Sequence, residues 1–291
     1  DTLCLFDDDI QGTGAVALSG LLAALRTTGG TLAEQRVLFY GAGQAGIGIG
    51  DTIVAGMVAA GIPEDQARRD CWFFDSQGLL VAGRDSIPPQ KQPYAHDHEP
   101  VSDLQEAISI LKPTALIGCA GQPAVFDEDV IRLMAQQQER PIIFALSNPT
   151  AKAECTAQQA YEWSEGRVVF ASGSPFEPVQ LGNQSFVPGQ GNNAYIFPGV
   201  GLGAVVSQST RVTDGMFLRA AQVLADMVSD EDLEMGRVYP SLSQIREVSA
   251  QIAAAVAGMA YREGLARREQ PEDILADVRE QMFQPLYPHY A

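Results

Sequence analysis

Short apolar runs alternate with longer segments of helical periodicity over the first 172 residues of the chain. The runs are rich in Val, Ile, Leu and Phe and have the length of buried strands. They lie at 36–40, 71–75, 114–118, 141–145 and 168–171. Helices are predicted at 13–28, 47–60, 103–111, 128–138 and 156–164. Because such strand–helix units recur at roughly 30-residue intervals, the pattern predicts an α/β fold with a doubly wound, Rossmann-like parallel sheet.

The pattern changes after residue 172, where Gly, Pro and Asn become frequent up to residue 211. A segment of this length and composition is typical of a region that forms a site. Helices are predicted after it at 213–228, 230–235, 242–262 and 271–282. The helix at 242–262 is apolar over much of its surface and needs to be covered on more than one side. The sequence leaves no second substantial domain to cover it.

These features predict three parts of the chain. They are a strand and linking helix at 1–30, a Rossmann-like domain at 31–192 and a helical region at 193–291. The chain starts with Asp1 instead of methionine and an apolar strand follows almost at once, so we expect it to belong to a longer protein. The helical region is then expected to pack on an amino-terminal domain, and a homo-oligomer is expected.

Composition narrows the range of partners. The 291 residues carry a formal net charge of −17, which argues against binding to nucleic acid or to an anionic membrane surface. No apolar run approaches the length of a membrane span. The four cysteines form no CxxC pair, so reduced thiols are expected instead of a zinc site or disulfides. Cytoplasmic location fits best, with an organellar matrix as the alternative.

Three consecutive carboxylates, Asp7, Asp8 and Asp9, follow the apolar run at 3–6. They are therefore expected at the end of a strand, ahead of a helix with Thr13 as its N-cap. One interpretation is a solvated acidic turn that caps this helix. The other is a site for Mg²⁺ or Mn²⁺, since hard divalent cations prefer carboxylate oxygens. Taken alone, the run does not distinguish the two.

A glycine-rich turn lies between the strand at 36–40 and the next helix, with the spacing Gly41-x-Gly43-x-x-Gly46. In a strand–turn–helix unit this spacing lets a dinucleotide pyrophosphate approach backbone N–H groups at the helix N-terminus. Asp75 ends the next strand and is expected to contact the adenosine ribose, although it lies further along than the usual spacing of about 20 residues. An ordinary strand-end turn is the alternative for Asp75.

NADP differs from NAD by a 2′-phosphate, so its recognition needs a donor or a cation close to Asp75. Ser76, Arg84 and Lys91 are the candidates in the sequence. Each of them could equally be a solvated surface residue.

Amide side chains mark two further turns. Asn148 directly follows the strand at 141–145, where the carboxyl ends of parallel strands face the ligand crevice. An amide there can donate and accept at once, which suits a hydroxy acid, although an Asn-Pro turn also has a purely structural use. Asn192 and Asn193 close the glycine-rich segment 188–193.

Taken together and in this order, these stretches resemble the malic enzyme family. The matching stretches are 6–13, 41–46, 146–150 with 153–154, 170–176 and 188–193. The resemblance covers nearly the whole chain and corresponds to the cofactor-binding, carboxyl-terminal part of that family.

The resemblance implies a role for each candidate residue. Asp9 matches the residue that binds the divalent metal, and Asp8 matches its acidic neighbour, which assists proton transfer. Asn148 and Asn192 match asparagines that hold the malate carboxylates, with Asn193 adjacent. The cofactor site is implied at Gly41, Ala42, Gly43, Gln44, Ala45, Gly46, Asp75, Ser76 and Lys91. Lys91 matches a lysine of NADP-preferring members, which favours NADP over NAD.

The activity implied is oxidative decarboxylation of (S)-malate to pyruvate and CO₂, with NAD(P) reduced and Mg²⁺ or Mn²⁺ required. The family's general base is a lysine and its general acid a tyrosine, both in the amino-terminal part. The three lysines of this chain, Lys91, Lys112 and Lys152, do not match that base. The isolated chain is therefore expected to bind dinucleotide without turning over malate.

Three alternatives remain from the sequence. A malolactic enzyme would carry nearly the same motifs and release lactate without net reduction of NAD. A non-catalytic dinucleotide-binding module is the second alternative. It does not explain why Asp8, Asp9, Asn148 and Asn192 occur together. An amino-acid dehydrogenase would share the fold but not explain the acidic run.

Overall fold

The computed structural model describes residues 4–284, and within them nine strands form two sheets. The strands are β1 Val37–Tyr40, β2 Cys71–Asp75, β3 Gly78–Leu79, β4 Ala115–Gly118, β5 Ile142–Ala145, β6 Val169–Ser172, β7 Val179–Leu181, β8 Gln184–Phe186 and β9 Gly189–Gln190. The main sheet has the order β3-β2-β1-β4-β5-β6-β9, and β7 and β8 form a separate hairpin. Within the main sheet only β3 is antiparallel to its neighbour, so the predicted Rossmann-like parallel sheet is confirmed.

The register of the sheet brings the functional loops to one edge. Tyr40, the last residue of β1, lies opposite Phe74 in β2 and Gly118 in β4. Gly118 in turn lies opposite Ala145 at the end of β5. The loops that follow these strands therefore open at the same carboxyl edge. The strand order reverses between β1 and β4, which is where ligands bind in folds of this class.

Eleven α-helices occur in the described residues. They are α1 Thr13–Thr28, α2 Gln44–Ala59, α3 Glu64–Arg69, α4 Leu104–Leu111, α5 Glu128–Gln137, α6 Ala157–Trp163, α7 Phe197–Ser207, α8 Asp214–Asp226, α9 Asp230–Glu234, α10 Ile245–Arg262 and α11 Ile274–Gln281. Nine of them match the predicted helices. None of the helices in residues 4–284 is long and apolar enough to cross a membrane.

Helix α7 lies inside the Gly-, Pro- and Asn-rich segment in which no helix was predicted. Two of its three glycines, Gly199 and Gly203, face α10. A Cβ on Gly199 would lie 2.6 Å from Cβ of Ile252, and one on Gly203 would lie 2.6 Å from the backbone oxygen of Ala253. Glycine therefore permits a close approach of the two helices, which a single-sequence pattern does not reveal. The short helix α3 was also missed.

The start of the chain differs from the prediction. Residues 4–6 form no strand, and Leu3 lies outside the described residues. A π-helical turn, Asp8–Gly12, runs directly into α1, so Thr13 is not an N-cap. Asp7 caps this turn, with its Oδ1 accepting a hydrogen bond of 3.1 Å from the Ile10 N–H. The acidic run therefore lies at a helix N-terminus, where the helix dipole favours carboxylates.

Helix α10 is covered by the chain itself, which corrects the expectation that it needs a covering from outside. Val248, Ile252 and Val256 are fully buried, and α10 packs against α7, α8 and α11. Residues of α1, α8 and α10 share one hydrophobic core with β1. The boundaries at 1–30, 31–192 and 193–291 stay a prediction. Residues 1–3 and 285–291 of the outer two parts lie outside the described residues.

Candidate functional site

The glycines of the turn after β1 have three different environments. Gly41 has a φ of +125°, and a Cβ on it would lie 2.9 Å from the backbone nitrogen of Ala120. A Cβ on Gly46 would lie 2.2 Å from the carbonyl oxygen of Gly41. Gly43, the N-cap of α2, has nothing within 4 Å of its Cβ position. Two glycines are thus required by the fold, and Gly43 leaves open space in front of a helix N-terminus, where an anion binds favourably.

We expect Gly43→Ala and Gly46→Ala to separate ligand binding from folding. Gly46→Ala places a methyl group against fixed backbone and should destabilise the chain by about 2–3 kcal/mol. Gly43→Ala should change stability by less than about 1 kcal/mol but weaken dinucleotide binding, because the methyl group occupies the space in front of α2. Urea unfolding and calorimetric titration with NADP measure the two effects. Equal destabilisation by both substitutions would contradict this assignment.

Asp75 ends β2 in a network with two cations, and its side chain is 16% exposed. Its Oδ1 accepts from the N–H of Gln77 at 3.0 Å and from Nη1 of Arg84 at 2.9 Å. Its Oδ2 lies 3.3 Å from Nζ of Lys91. Burial alone would raise the pKa of Asp75, but these hydrogen bonds and the guanidinium hold it below the ordinary value. Asp75 is therefore ionised, and the three side chains together carry one positive charge.

The structure thus brings together three of the four residues predicted around the adenosine ribose. Arg84 is the most constrained of them, since its Nη2 also donates to two backbone carbonyls of β3. Ser76 lies in the exposed turn between β2 and β3. Both oxygens of Asp75 already accept hydrogen bonds inside the chain, so its predicted contact with the ribose stays a prediction.

Lys91 lies on a short helix between β3 and α4. It belongs to the 3₁₀ helix Pro89–Tyr94. Tyr94 is fully buried, and its hydroxyl donates to Oδ1 of Asp51 in α2 at 2.6 Å. Its ring lies 4.7 Å from that of Phe73 in β2. These contacts of Tyr94 attach the short helix that carries Lys91 to α2 and β2.

Asn148 lies in an exposed turn after β5, and its peptide bond to Pro149 is cis. The residue before it, Ser147, is buried. The Ser147 hydroxyl donates to Oε1 of Glu154 and accepts from the Gly121 N–H at 2.8 Å. The Asn148 turn is thereby connected to the loop after β4.

Glu154 is a residue to which the sequence analysis gave no role. It is 0% exposed. Burial raises its pKa, although hydrogen bonds from Ser147 and from backbone N–H groups oppose that effect. The sequence signal for this residue was a glutamate inside the short apolar-rich segment 153–157. A buried charge is costly without partners, so a glutamate in such a segment indicates hydrogen-bond donors around it.

The acidic run meets the asparagine segment. Nδ2 of Asn193 donates to Oδ2 of Asp8, which is 185 positions away in the chain. Oδ1 of Asp8 is buried and has no hydrogen-bond partner within residues 4–284. Burial, Asp9 and Asp7 together raise the pKa of Asp8 to about 6. Asn192 caps the turn beside it by accepting from the Ala194 N–H at 2.9 Å.

The Asn148 turn and the asparagine segment are also neighbours. A Cβ on Gly191 would lie 3.3 Å from Cδ2 of Leu146, and the Gly191 N–H donates to the Ser172 carbonyl at 2.8 Å. The two segments that contain Asn148 and Asn192 therefore border one region at the carboxyl edge of the sheet. The hydrogen bond from Asn193 to Asp8 brings the acidic run to the border of the same region.

The carboxylates of Asp8 and Asp9 are the ligand type that Mg²⁺ and Mn²⁺ prefer. Asp9 is exposed, and the unpartnered Oδ1 of Asp8 is an acceptor that a cation could satisfy. No group of three or more His, Cys, Asp or Glu residues within 4–284 could hold a metal ion. The described residues therefore fit part of a site for a divalent cation and do not complete one.

Comparison with known proteins gives a family for this arrangement. The family model described as "Malic enzyme, NAD binding domain" matches residues 10–261. The chain is 50% identical over 288 residues to an NADP-dependent malic enzyme of Vitis vinifera, covering 98% of this chain and 49% of that protein. It is 50% identical over 289 residues to the chloroplastic NADP-dependent malic enzyme of Zea mays, covering 98% and 45%.

Solved structures agree with the sequence matches. The malic enzyme of Entamoeba histolytica superimposes with a TM-score of 0.76 at 26% identity, over 96% of this chain and 55% of that one. The malic enzyme of Pyrococcus horikoshii gives a TM-score of 0.74 at 26% identity, over 96% and 60%. The chain spans about half the length of the curated relatives it matches. The resemblance found in the sequence is confirmed, and the chain belongs to the malic enzyme family, of which it carries the NAD(P)-binding domain.

Proposed function

We propose that this chain supplies the dinucleotide site, together with part of the malate and metal sites, of a protein that converts (S)-malate to pyruvate and CO₂. The observation that carries the proposal is the contact between Asp8 and Asn193. It joins the acidic run to the asparagine segment, and the same acidic turn packs against α2, which begins at the glycine turn. Cofactor, hydroxy acid and metal would therefore share one crevice.

Each side chain has a defined task in this proposal. Backbone N–H groups at the start of α2 bind the pyrophosphate. Asn148 and Asn192 donate to the malate carboxylates. Asp9 supplies one metal ligand, and the other ligands come from outside this chain. When bound, Mg²⁺ or Mn²⁺ acts as a Lewis acid on the oxygen at C2 of the substrate. Asp8 accepts from Asn193 and keeps a free oxygen beside this region, where it can assist proton movement.

NADP is proposed as the preferred dinucleotide. Lys91 and Arg84 both contact Asp75, which leaves one positive charge in excess at the end of β2. A 2′-phosphate is bound best by such an excess of donors and charge. The relatives from Vitis vinifera and Zea mays, described as NADP-dependent, support the same preference.

The proposal is tested by comparing the 291-residue chain with the complete protein that contains it. We expect the chain alone to bind NADP but to form no NADPH from malate and Mn²⁺, because none of its three lysines matches the family's general base. The complete protein should form NADPH and pyruvate. Turnover by the chain alone, or lactate as the product of the complete protein, would contradict the proposal, the latter in favour of a malolactic enzyme.

Compartment and assembly remain proposals as well. The cytoplasm or an organellar matrix is proposed, and the relative from Zea mays is described as chloroplastic. A homo-oligomer is proposed, which sedimentation of the complete protein would measure.

A further inference from the structure

Glu154 lies beneath the Asn148 turn as a buried carboxylate with several donors. Its Oε1 accepts from the Ser147 hydroxyl and its Oε2 from the Ser147 N–H at 3.3 Å. The backbone of Ala120 also acts to lower the pKa of this carboxylate. Burying a carboxylate costs free energy even when it is paired. Apolar packing would fill the same volume at a lower cost, so stability alone does not explain a glutamate here.

The space for this carboxylate is built into the sheet. A Cβ on Gly118, the last residue of β4, would lie 2.4 Å from Cδ of Glu154. The strand therefore ends on glycine because the glutamate side chain lies over it. The backbone of Glu154 is also fixed, since its carbonyl accepts from the Phe126 N–H at 3.0 Å.

The hydrogen bonds of Glu154 join two loops at the carboxyl edge of the sheet. One is the loop after β4, in which the Gly121 N–H donates to the Ser147 hydroxyl, which in turn donates to Glu154. This loop borders the glycine turn, because Sγ of Cys119 lies 3.4 Å from the Gly41 carbonyl oxygen. The other is the Asn148 turn. One side chain therefore sets the spacing between the dinucleotide side and the substrate side of the crevice.

We propose that Glu154 is a positioning residue that holds the 119–121 loop and the Asn148 turn in the relative placement required for hydride transfer, acting through Ser147. The kinetic part of this inference rests on the proposed function. Hydride transfer needs the two reacting carbons at about 3–3.5 Å, and a displacement of about 1 Å can cost on the order of 100-fold in rate. Glu154→Gln keeps the size of the side chain but replaces one acceptor oxygen by an NH₂ group, so only one of the two Ser147 donors keeps its acceptor. We expect this loss to loosen the turn.

Four variants of the complete protein test the proposal. They are Glu154→Gln, Ser147→Ala, the double variant and, as a control, Glu162→Gln on the exposed face of α6. We expect kcat for malate oxidation to fall about 10- to 100-fold in both single variants, with the Kd for NADP changed by less than about twofold. The double variant should be no slower than the slower single variant, because both substitutions break one link. If the decrease in kcat of the double variant equalled the product of the decreases in the two single variants, the proposal would be overturned.

Amide hydrogen exchange provides a readout that does not depend on malate turnover. Exchange in a peptide covering residues 119–122 should be at least about tenfold faster in Glu154→Gln and Ser147→Ala, and unchanged in Glu162→Gln. If the complete wild-type protein did not oxidise malate, the proposed function would fail while this measurement still tested the link between the loops. Unchanged exchange in both variants would overturn the inference.

Discussion

Lys91→Ala is expected to weaken NADP binding by about 10- to 100-fold and to leave NAD binding unchanged. The ammonium group of Lys91 has three donors, and within residues 4–284 it makes one hydrogen bond, to Asp75. It therefore retains donors for a 2′-phosphate, which NAD lacks. Charge-assisted hydrogen bonds of this kind contribute about 1.5–3 kcal/mol, which corresponds to the stated change in Kd. Calorimetric titrations of both dinucleotides measure it.

The matched control for this prediction is Lys112→Ala. Lys112 is exposed at the end of α4. Its substitution removes the same charge from a position outside the ribose region. Asp75 remains paired with Arg84 in the Lys91 variant, so the local fold should persist. Equal NADP affinity of wild type and Lys91→Ala would remove this lysine from the cofactor site. An equal loss of NADP affinity in Lys112→Ala would mean that the effect comes from the overall charge of the protein and not from a contact of Lys91.

The second large effect is expected for Asp9→Asn in the complete protein. The substitution keeps the size of the side chain and removes the anionic oxygen that Mg²⁺ or Mn²⁺ prefers. Loss of a residue that only supports a metal ligand already lowers metal affinity or activity by about 10- to 100-fold. For the ligand itself we expect Mn²⁺-dependent turnover to fall by at least about 100-fold. NADP affinity should be unchanged. Turnover as a function of Mn²⁺ concentration, with NADP titrated in parallel, provides the measurement.

Asp7→Asn is the control for Asp9→Asn. Asp7 caps the π-helical turn through its side-chain oxygen, and asparagine is an equally good N-cap. Turnover of this variant should stay within about twofold of wild type. The same loss in both variants would mean that the acidic run acts through its total charge and that Asp9 is not a ligand.

The elements of the Rossmann-like domain were predictable from local sequence because their signals are local. Apolar runs such as Val37–Tyr40 and Ile142–Ala145 have too few residues and too few polar positions to be anything but buried strands. The glycine turn was predictable for the same reason, since Gly41 requires a positive φ and Gly46 a close approach within six residues of chain.

Two local predictions were wrong where tertiary contacts reverse the usual meaning of a residue type. No helix was predicted in the Gly-, Pro- and Asn-rich segment up to residue 211, yet Gly199 and Gly203 lie in α7, where they allow the close approach of α10. The run Asp7-Asp8-Asp9 was predicted to follow a strand, yet it begins a helix. The position is compatible with carboxylates because Asp7 accepts from the Ile10 N–H and the helix dipole favours negative charge at its start.

The sequence by itself determined the parallel strands β1, β2, β4, β5 and β6, most of the helices, the glycine turn and the family, because apolar spacing, turn chemistry and motif order are properties of neighbouring residues. Only the tertiary structure decided that Asp8 meets Asn193, that Lys91 meets Asp75 and that Glu154 lies beneath Asn148. Contacts between residues as far as 185 positions apart arise from how the elements pack, and packing depends on the shape of every face in the core. No local pattern contains that information.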